Sequence, residues 1–451
     1  MDFVSILRGI LGFAVLISIA FLFSNNKKAI NWKLVAKGLG IQLILAIFIL
    51  KGDELSNYFA PLGYLKLLFT FISSFFVLVL NFTTEGSKFI FGNLALSPGT
   101  DGSLGMFFAF QVLPIIIFFA SLMSVLYYLG IMQRIVQGMA WIMQKLLGTS
   151  GAESLSNTAN IFIGQTEAPL MIKPFIKEMT KSELLTIMVG GMATIAGSVM
   201  AAYIQILGQS YSTTHNIPLA QAQLIFANHL LVASVMAAFA SLIISKILIP
   251  ETEEPVTKGT VKIKVEKNGT NVIEAAAQGA SEGLTLALNV AAMLIAFIAI
   301  IALLNYSLTA FGNVIGVNSY LIAQFGQPLS LQLFFGLILQ YLAFLIGVPW
   351  DASFQFGSLL GTKVVLNEFV AYLDMGTQIQ NNILVDKKAI FMATYALCGF
   401  ANFSSIAIQI GGLSPLAPER RSDFAQLGLK AVLGGTLATL LTATLAGAFF
   451  S

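Results

Sequence analysis

The sequence predicts an all-α polytopic membrane protein with about eight transmembrane helices, two re-entrant hairpins of opposite orientation, inverted repeats and interfacial helices. Composition is the first reason, because 57% of the 451 residues are hydrophobic and only 10% are charged. A soluble domain of this size needs far more charge to cover its surface. The distribution of the charges is the second reason, and two polar segments inside the apolar chain are the third.

Long stretches of the chain contain no Asp, Glu, Lys or Arg. They are Phe107–Leu129, Leu184–Thr214, Leu284–Trp350, Ala389–Pro418 and Ala431–Ser451. A helix needs about 20 residues to cross a hydrocarbon core about 30 Å thick, and each stretch is that long. Since lipid offers no hydrogen-bond partners, the backbone must be paired internally, so we expect helices or helical hairpins.

The apolar runs predict eight spans. They are Phe3–Ser24, Trp32–Leu50, Phe107–Leu129, Leu184–Leu207, Leu224–Leu248, Leu284–Leu308, Ala389–Leu413 and Ala425–Phe449. The apolar stretch Leu65–Leu80 is short for a span and is expected to lie partly in the membrane interface. Leu329–Val348 is ambiguous in the same way. The first run follows Met-Asp rather than a basic region, so it is interpreted as a retained helix rather than a signal peptide.

The distribution of Lys and Arg predicts the orientation, because cytoplasmic loops carry an excess of both residues. They follow the first, third, fifth and seventh predicted helices, whereas Gly208–Gln223 and Phe311–Gln327 contain none. This pattern fits eight crossings with both termini outside. Six lysines count against the scheme, because it places them on or near the outer side: Lys51, Lys66, Lys88, Lys363, Lys387 and Lys388.

The predicted organisation divides the chain into four parts. Residues 1–106 hold the leading helices and the interfacial segment, which would belong to a scaffold. Residues 107–250 and 283–451 are two repeats, each with a helix, a polar hairpin, a broken helix and a further helix. Residues 251–282 form a cytoplasmic loop that runs into an interfacial helix, since the only extended polar stretch of the chain begins there.

Two polar segments interrupt the apolar pattern. The first, Ser154–Phe175, contains the lone Glu167 among amides, Gly and Pro, and the second, Phe354–Tyr372, contains Glu368 beside Asn367. Each side of these segments is too short to span the membrane alone. Both are therefore interpreted as re-entrant hairpins whose tips reach the membrane midplane, the first from the cytoplasm and the second from outside.

A helix rich in small and hydroxyl residues follows each hairpin. Gly190–Ser198 reads GGMATIAGS, and Cys398–Ser405 reads CGFANFSS. At such positions a helix can unwind and offer free carbonyl groups. A hairpin followed by a broken helix, occurring twice, is typical of transporters built from inverted repeats, whose substrate and ion sites lie at the repeat interface.

Glu167 and Glu368 are the strongest candidates for a site. Burying a carboxylate at the bilayer centre is costly, so such residues usually mark a pathway or a binding site, although each could pair structurally with an Asn. Single amides and hydroxyls could equally hydrogen-bond between helices, which applies to Asn160, Gln165, Thr166, Asn402 and Ser405. Taken alone, Phe400 fits packing better than stacking on a ligand.

The chemistry of these residues restricts the ligand. Neither tip carries Lys or Arg, which argues against an anionic substrate and favours a neutral or cationic solute rich in hydrogen-bond donors. Side-chain oxygens and freed carbonyls suit a hard cation such as Na⁺. No basic tract suggests nucleic acid, and the single Cys398 excludes a Cys-rich metal site. The residues alone predict a cation-coupled carrier of a polar, non-anionic solute.

Several longer motifs resemble signatures of the concentrative nucleoside transporter family. GQTEAPL begins at Gly164, NEFVAY at Asn367 and ATYALCGFANFSS at Ala393. VLPIIIFFASLMSVLYYLG from Val112 and GGMATIAGSVMAAY from Gly190 resemble the family as well. The motifs occur in order from the third predicted helix to the C-terminus, which makes the resemblance specific.

The resemblance implies a sodium-coupled nucleoside symporter of the bacterial cytoplasmic membrane, and the charge pattern above would then place both termini in the periplasm. It implies a homotrimer in which each protomer moves a transport domain against a scaffold like an elevator. It implies no organic cofactor and no enzymatic activity. A proton-coupled nucleoside symporter is the alternative, although QTEAPL favours Na⁺ because proton-driven bacterial members tend to depart from it. A membrane-embedded hydrolase and an ion channel are the alternatives from other classes.

The resemblance also implies roles for individual residues. Those that would face the nucleobase are Gln165, Thr166, Glu167 and Val199. Those that would bind the ribose hydroxyls are Glu368, Asn402 and Ser405, with Phe400 lining the pocket. Those that would hold Na⁺ are Asn160, Thr194 and the carbonyls of Ile163 and Ile195. The chemistry agrees, because a vicinal diol donates well to a carboxylate and a base offers an edge to amides.

Overall fold

A computed structural model of the protein describes residues 3–98, 100–259 and 270–450. Eight helical segments within this part are long and apolar enough to cross a membrane. They are Val4–Leu22, Trp32–Leu50, Ala60–Ala95, Phe108–Tyr128, Lys181–His215, Leu219–Leu248, Val272–Val314 and Pro418–Phe449. The prediction of an all-α polytopic protein with about eight spans is therefore confirmed.

The N-terminal part contains four helices: α1 (Phe3–Leu22), α2 (Trp32–Leu50), α3 (Gly52–Ser56) and α4 (Tyr64–Phe91). Helix α2 has the predicted bounds, and the Asn31 side chain caps it by accepting a hydrogen bond from the Leu34 N–H. Helix α4 has 28 residues, so the prediction that Leu65–Leu80 is short for a span is wrong. Within it the Thr83 and Thr84 hydroxyls donate to carbonyls of the preceding turn, so these polar side chains are satisfied inside the helix.

The outer helices of the first repeat are followed by the first polar hairpin and a broken helix. The helices of this whole part are α5 (Phe108–Gln111), α6 (Leu113–Tyr128), α7 (Ile131–Leu147), α8 (Gly151–Ala159), α9 (Lys173–Ile176), α10 (Lys181–Ala193), α11 (Gly197–His215) and α12 (Leu219–Leu248). Ser150 and Glu153 form a capping box that begins α8. Thr180 and Glu183 form the same motif at the beginning of α10. Helices α10 and α11 are separated at residues 194–196, as GGMATIAGS predicts.

The second repeat begins with one very long helix. Helix α13 (Val272–Val314) has 43 residues and is followed by α14 (Asn318–Phe325). The stretch predicted as an interfacial helix, up to residue 282, is the first part of α13 rather than a separate element, while residues 260–269 of the predicted loop lie outside the described residues. Close packing against α6 explains the continuity, because Gly279 and Gly283 leave room for the α6 backbone at Ala120 and Ile117.

The remaining helices form the second hairpin, a second broken helix and the last long helix. They are α15 (Leu331–Leu345), α16 (Trp350–Val365), α17 (Glu368–Gln380), α18 (Lys387–Leu397), α19 (Phe403–Leu413) and α20 (Arg421–Phe449). The ambiguous stretch Leu329–Val348 is the 15-residue α15, which packs along α16. The single span predicted over Ala389–Leu413 is two 11-residue helices, because the chain leaves helical geometry at residues 398–402.

Burial separates inner helices from outer ones. The most apolar stretch of α12 is entirely buried within the protein, whereas only 22% of the corresponding stretch is buried in α1 and in α13. The broad apolar faces of the outer helices suit contact with lipid. The orientation scheme places Lys363 on or near the outer side. The structure corrects this interpretation of Lys363 as a loop charge, because the residue lies on α16 and is fully buried between α18 and α20.

Candidate functional site

A cavity of about 800 Å³ lies between the tips of the two hairpins and the outer helices α6 and α13. Its volume falls in the range of about 300–1,000 Å³ that is typical of small-molecule sites. Hairpin one (residues 151–176) contributes its tip around Glu167, and hairpin two (residues 350–380) contributes Glu368. Tyr127 of α6 and Glu282 of α13 line the opposite wall. Both repeats therefore meet at a single cavity.

The structure brings the predicted substrate residues together. All eight of them line this cavity: Gln165, Thr166, Glu167, Val199, Glu368, Phe400, Asn402 and Ser405. Of the predicted sodium residues, Ile163 also lines it, while Asn160, Thr194 and Ile195 are buried and do not. Residues 200 or more positions apart in the chain thus share one pocket.

The carboxylate of Glu368 is buried and held by two donors. Asn367 caps α17 by accepting from the Val370 N–H at 2.9 Å, which places Glu368 at the first position of the helix. The Tyr203 hydroxyl donates to Oε1 at 2.9 Å, and the Asn402 Nδ2 donates to Oε2 at 3.0 Å. A carboxylate oxygen has two lone pairs, so each oxygen can still accept one hydrogen bond from a ligand.

Asn402 links the second helix break to this carboxylate. It caps α19, because its Oδ1 accepts from the Ser405 N–H at 2.8 Å and from the Ser404 hydroxyl at 2.7 Å. Its Nδ2 remains free to donate to Glu368. One amide therefore ends the break, begins α19 and orients the carboxylate.

Glu167 is held differently. It is exposed, and the structure shows one hydrogen bond to its Oε2, from the Gly164 N–H at 3.2 Å. The neighbouring Gln165 is buried: its Nε2 donates to the Ser405 hydroxyl at 3.3 Å, and its Oε1 accepts from Gln409 at 3.0 Å. The side chain of Gln165 thus joins tip one to α19, while the Glu167 carboxylate faces the cavity.

Asn160 and the first helix break form a separate buried group behind the cavity. The Gly197 N–H donates to the Phe162 carbonyl at 3.0 Å, which joins the break to hairpin one. Asn160 is only 1% exposed, yet neither atom of its side-chain amide has a hydrogen-bond partner among the described residues. Buried polar groups are normally paired, so this amide fits a ligand such as an oxygen-coordinated cation.

The two helix breaks touch each other at Gly399. This residue has φ +146°, and a Cβ there would lie 2.7 Å from the carbonyl oxygens of Met192 and Ala193 at the end of α10. Only glycine combines that backbone conformation with so close an approach. The first break, the second break and both tips therefore form one continuous structural unit.

Sequence reasoning missed two residues of this unit, Tyr203 and Gln409. A usable signal exists for both, because residues four positions apart lie on one face of a helix. Tyr203 follows Val199 by four positions, and Gln409 follows Ser405 by four. A polar residue at that spacing in an apolar helix predicts a shared site.

Comparison with known proteins gives the family. Residues 11–94 match the Na⁺ dependent nucleoside transporter N-terminus, residues 109–210 match a nucleoside recognition (Gate) domain, and residues 229–447 match the Na⁺ dependent nucleoside transporter C-terminus. An uncharacterized transporter of Haemophilus influenzae is 47% identical, over 99% of this chain and 98% of the relative.

Two further relatives carry functional names. Nucleoside permease NupC of Helicobacter pylori is 41% identical, over 99% of this chain and 98% of its own length. Sodium/nucleoside cotransporter 1 of Mus musculus is 39% identical, over 97% of this chain but 63% of its own length.

Two solved structures show the same fold. CNTnw in an inward-facing substrate-bound state has a TM-score of 0.82 at 40% identity and covers 98% of both chains. A variant of CNTnw in an outward-facing state has a TM-score of 0.84 at 40% identity, over 99% of this chain and 98% of that one. The chain therefore belongs to the concentrative nucleoside transporter family, and it is a multi-pass membrane transporter rather than an enzyme.

Proposed function

We propose that this protein is a sodium-coupled symporter that imports nucleosides across a bacterial cytoplasmic membrane. The observation that carries the proposal is the single cavity on which both hairpin tips and Asn402 of the second helix break converge, with the first break directly behind it. A solute that bridges Glu167 and Glu368 would tie the two repeats together before they move. The family models, which are named for sodium-dependent nucleoside transport, support both the solute and the ion.

The ribose would bind at hairpin two. Glu368 is already oriented by Tyr203 and Asn402, so its remaining lone pairs can accept from two neighbouring hydroxyls. The Ser405 hydroxyl lies on the same wall of the cavity. A vicinal diol is the group that matches such an arrangement, which distinguishes a nucleoside from a free base.

The nucleobase would bind at hairpin one. Gln165, Thr166, Glu167 and Val199 line that part of the cavity. An amide and a carboxylate can pair with both donor and acceptor groups at the edge of a base. Phe400 lines the cavity beside them and offers a ring to the sugar or the base.

Sodium would bind to Asn160, to Thr194 and to the carbonyls of Ile163 and Ile195. The support is the buried and unpartnered amide of Asn160 next to a helix break whose backbone leaves regular geometry. All four ligands are oxygens, which hard cations prefer. An ion held there would order hairpin one before the nucleoside binds, and this order couples the two solutes.

We also propose how access alternates. The cavity extends to Gln133 and Lys173, which lie in segments predicted to be cytoplasmic, so in the predicted orientation the site would open to the cytoplasm. The related CNTnw has both inward-facing and outward-facing structures. The hairpins with α10–α12 and α18–α20 would move as a transport domain against α6 and α13. The protein would act as a homotrimer with both termini in the periplasm.

Uptake of radiolabelled uridine and adenosine into proteoliposomes tests the proposal. An inward Na⁺ gradient is compared with choline at the same pH, and protein carrying Glu368→Gln serves as the inactive control. Saturable uptake that requires Na⁺ supports the symporter. Uptake driven by a pH gradient and indifferent to Na⁺ would replace the coupling ion with a proton and keep the nucleoside. No nucleoside uptake under either gradient would remove the substrate assignment.

A further inference from the structure

The second repeat contains a fully buried ammonium group that substrate binding does not use. Lys363 lies near the end of α16 and has no exposed surface. Its Nζ donates to the Ala396 carbonyl at 2.8 Å and to the Thr439 hydroxyl at 3.2 Å. No carboxylate of the described residues lies within ion-pair distance of it, unlike the buried Lys246, which pairs with Glu153 at 2.8 Å.

The position of this ammonium corresponds to that of the proposed sodium site in the first repeat. In each repeat a hairpin arm (α8 or α16) packs on a broken half-helix (α10 or α18), which packs on a long helix (α12 or α20). Asn160 caps the end of the first arm, and Asn157, three residues earlier, lies against Gly190 in the last turn of α10. Lys363 reaches from the second arm to the end of α18. A half-helix C-terminus attracts a cation. The first repeat offers an unpartnered amide there, and the second already contains a positive charge.

The charges around the tips agree with this assignment. Glu167 and Glu368 contribute two negative charges and Lys363 one positive charge, which leaves −1, and one bound Na⁺ would bring the sum to zero. Lys173 and Glu282, at the edge of the cavity, are exposed and opposite in sign. Of these groups Glu368 and Lys363 are the buried ones, and they are opposite in sign. Buried charge without compensation is unfavourable, so without Lys363 the loaded domain would need a second cation.

We propose that the Lys363 ammonium is a built-in cation that occupies the half-helix site of the second repeat, so that one sodium ion rather than two is bound per nucleoside. This inference rests on the proposed sodium coupling. Lys363 is a positioning residue: it neutralises and orders the end of α18 next to the break that carries Asn402.

The test measures uptake and the charge moved per nucleoside as Na⁺ is varied. The wild type is expected to depend on the first power of the Na⁺ concentration and to move one charge. Lys363→Ala, which leaves a space, should be about tenfold or more slower at low Na⁺ because interactions of a charged donor are lost. At high Na⁺ its uptake should recover, with a second-power dependence and nearly two charges per nucleoside. Lys363→Met fills the space without a charge and should not recover.

Added ethylammonium provides an independent readout. It should accelerate Lys363→Ala at low Na⁺, return its charge to one, and leave Lys363→Met unchanged. The matched control is Lys246→Met at another buried lysine, which should lower thermal stability but keep the first-power dependence and one charge. A structural role alone would give no rescue by the amine or by Na⁺.

Three results would overturn the inference: two sodium ions per nucleoside in the wild type, wild-type behaviour of Lys363→Ala, or loss of uptake that neither Na⁺ nor ethylammonium restores in folded protein. The wild-type measurement applies even if the variants do not fold. If wild-type uptake is driven by protons alone, the sodium coupling fails separately. The charge moved per nucleoside then still tests the role of Lys363. It should rise in Lys363→Ala, and an unchanged charge would remove that role.

Discussion

The two hairpins carry the same kind of residue at their tips but hold it in different ways. Hairpin two is a pair of regular helices joined at Leu366–Asn367, and its Glu368 is buried with two side-chain donors. Hairpin one has no regular α-helix between Ala159 and Lys173, and the exposed Glu167 accepts from the backbone of its own tip. The carboxylate of hairpin two is therefore preorganised for a ligand, whereas the carboxylate of hairpin one is held by a single hydrogen bond.

The helix breaks repeat this contrast. The first break, at residues 194–196, adjoins an amide without a partner, whereas the second, at residues 398–402, is closed by Asn402 and adjoins the ammonium of Lys363. Preorganisation in the second repeat thus comes from groups within the chain. In the first repeat it would come from a bound cation, and under the proposed coupling that repeat would be the place where the ion gradient acts.

Glu368→Gln is expected to have the largest effect, because it removes the charge from the preorganised tip. Charge-assisted hydrogen bonds contribute about 1.5–3 kcal/mol each, so loss of two to a ribose should lower uptake more than about a hundredfold. Gln has nearly the same shape as Glu, and its side-chain oxygen can still accept from Tyr203, so assembly measured by gel filtration should persist. Uptake of labelled uridine is the measurement.

Glu167→Gln is the matched control at the less ordered tip. Its carboxylate has a single hydrogen bond to the protein, so a smaller loss of uptake is expected. Equal losses at both tips would contradict the difference in preorganisation, and normal uptake by Glu368→Gln would remove the ribose assignment.

Gly399→Ala should disturb the contact between the two breaks. The added Cβ would meet two carbonyl oxygens of α10 at 2.7 Å in a backbone conformation that disfavours side chains. A loss of roughly 1–3 kcal/mol in the free energy of unfolding is expected, together with slower uptake. Thermal unfolding in detergent measures it.

Gly411→Ala supplies the comparison. Gly411 lies within α19, and a Cβ there would have no neighbour within 4 Å. This substitution should be neutral or slightly stabilising, because Ala favours helix over Gly. If both variants unfold at the same temperature as the wild type, the breaks are not in the tight contact described above.

Asn160→Ala should raise the Na⁺ concentration for half-maximal uptake about tenfold, as expected for loss of one oxygen ligand. In choline its thermal stability should not fall, because the substitution removes a buried amide that has no partner. A Na⁺ titration of uptake and an unfolding curve in each salt are the two measurements. An unchanged Na⁺ requirement would remove the ion assignment.

Asn157→Ala is the control for this prediction, three residues earlier on the same hairpin arm. The Asn157 amide donates to the Ala238 carbonyl and to the Ser241 hydroxyl, each at 2.9 Å. This variant should lose stability in both salts and keep the Na⁺ requirement of the wild type. The pair therefore separates a ligand-binding amide from a structural one.

The sequence predicted the elements whose limits are set locally. Helix α2 was predicted to the residue, since an apolar run lies between the capping Asn31 and the polar Lys51-Gly52-Asp53. The split helices were predicted from their Gly and hydroxyl content. The length of helix α4 is not predicted, because the apolar run gives way to polar residues that still belong to the helix. The hydroxyls of Thr83 and Thr84 are hydrogen-bonded within it.

Features set by distant segments were not predicted. The charge pattern predicts Lys363 on or near the outer side, because the sequence does not show that α18 and α20 cover it. The pairing of Gln165 with Gln409 joins residues 244 positions apart. The spacing of Gln409 from Ser405 places it on the site face of α19, but it does not identify Gln165 as the partner. The predicted division into four parts and the roles of the site residues remain predictions until transport is measured.

Tyr203→Phe should have the smallest effect and sharpens the comparison most finely. It removes one donor to Glu368 while the ring stays packed against Phe369 and Tyr372. One hydrogen bond contributes about 0.5–1.5 kcal/mol net, so the concentration of nucleoside for half-maximal uptake should rise about two- to tenfold, with the Na⁺ requirement unchanged. Gln409→Met removes one of the two hydrogen bonds between Gln165 and α19 and leaves the one to Ser405. It should instead raise the Na⁺ requirement, because more of the order of tip one must then come from the ion. If either variant raises the nucleoside and the Na⁺ concentrations for half-maximal uptake equally, the two tips are ordered together rather than separately. The assignment of ion binding to the first repeat and of ribose binding to the second would then be wrong.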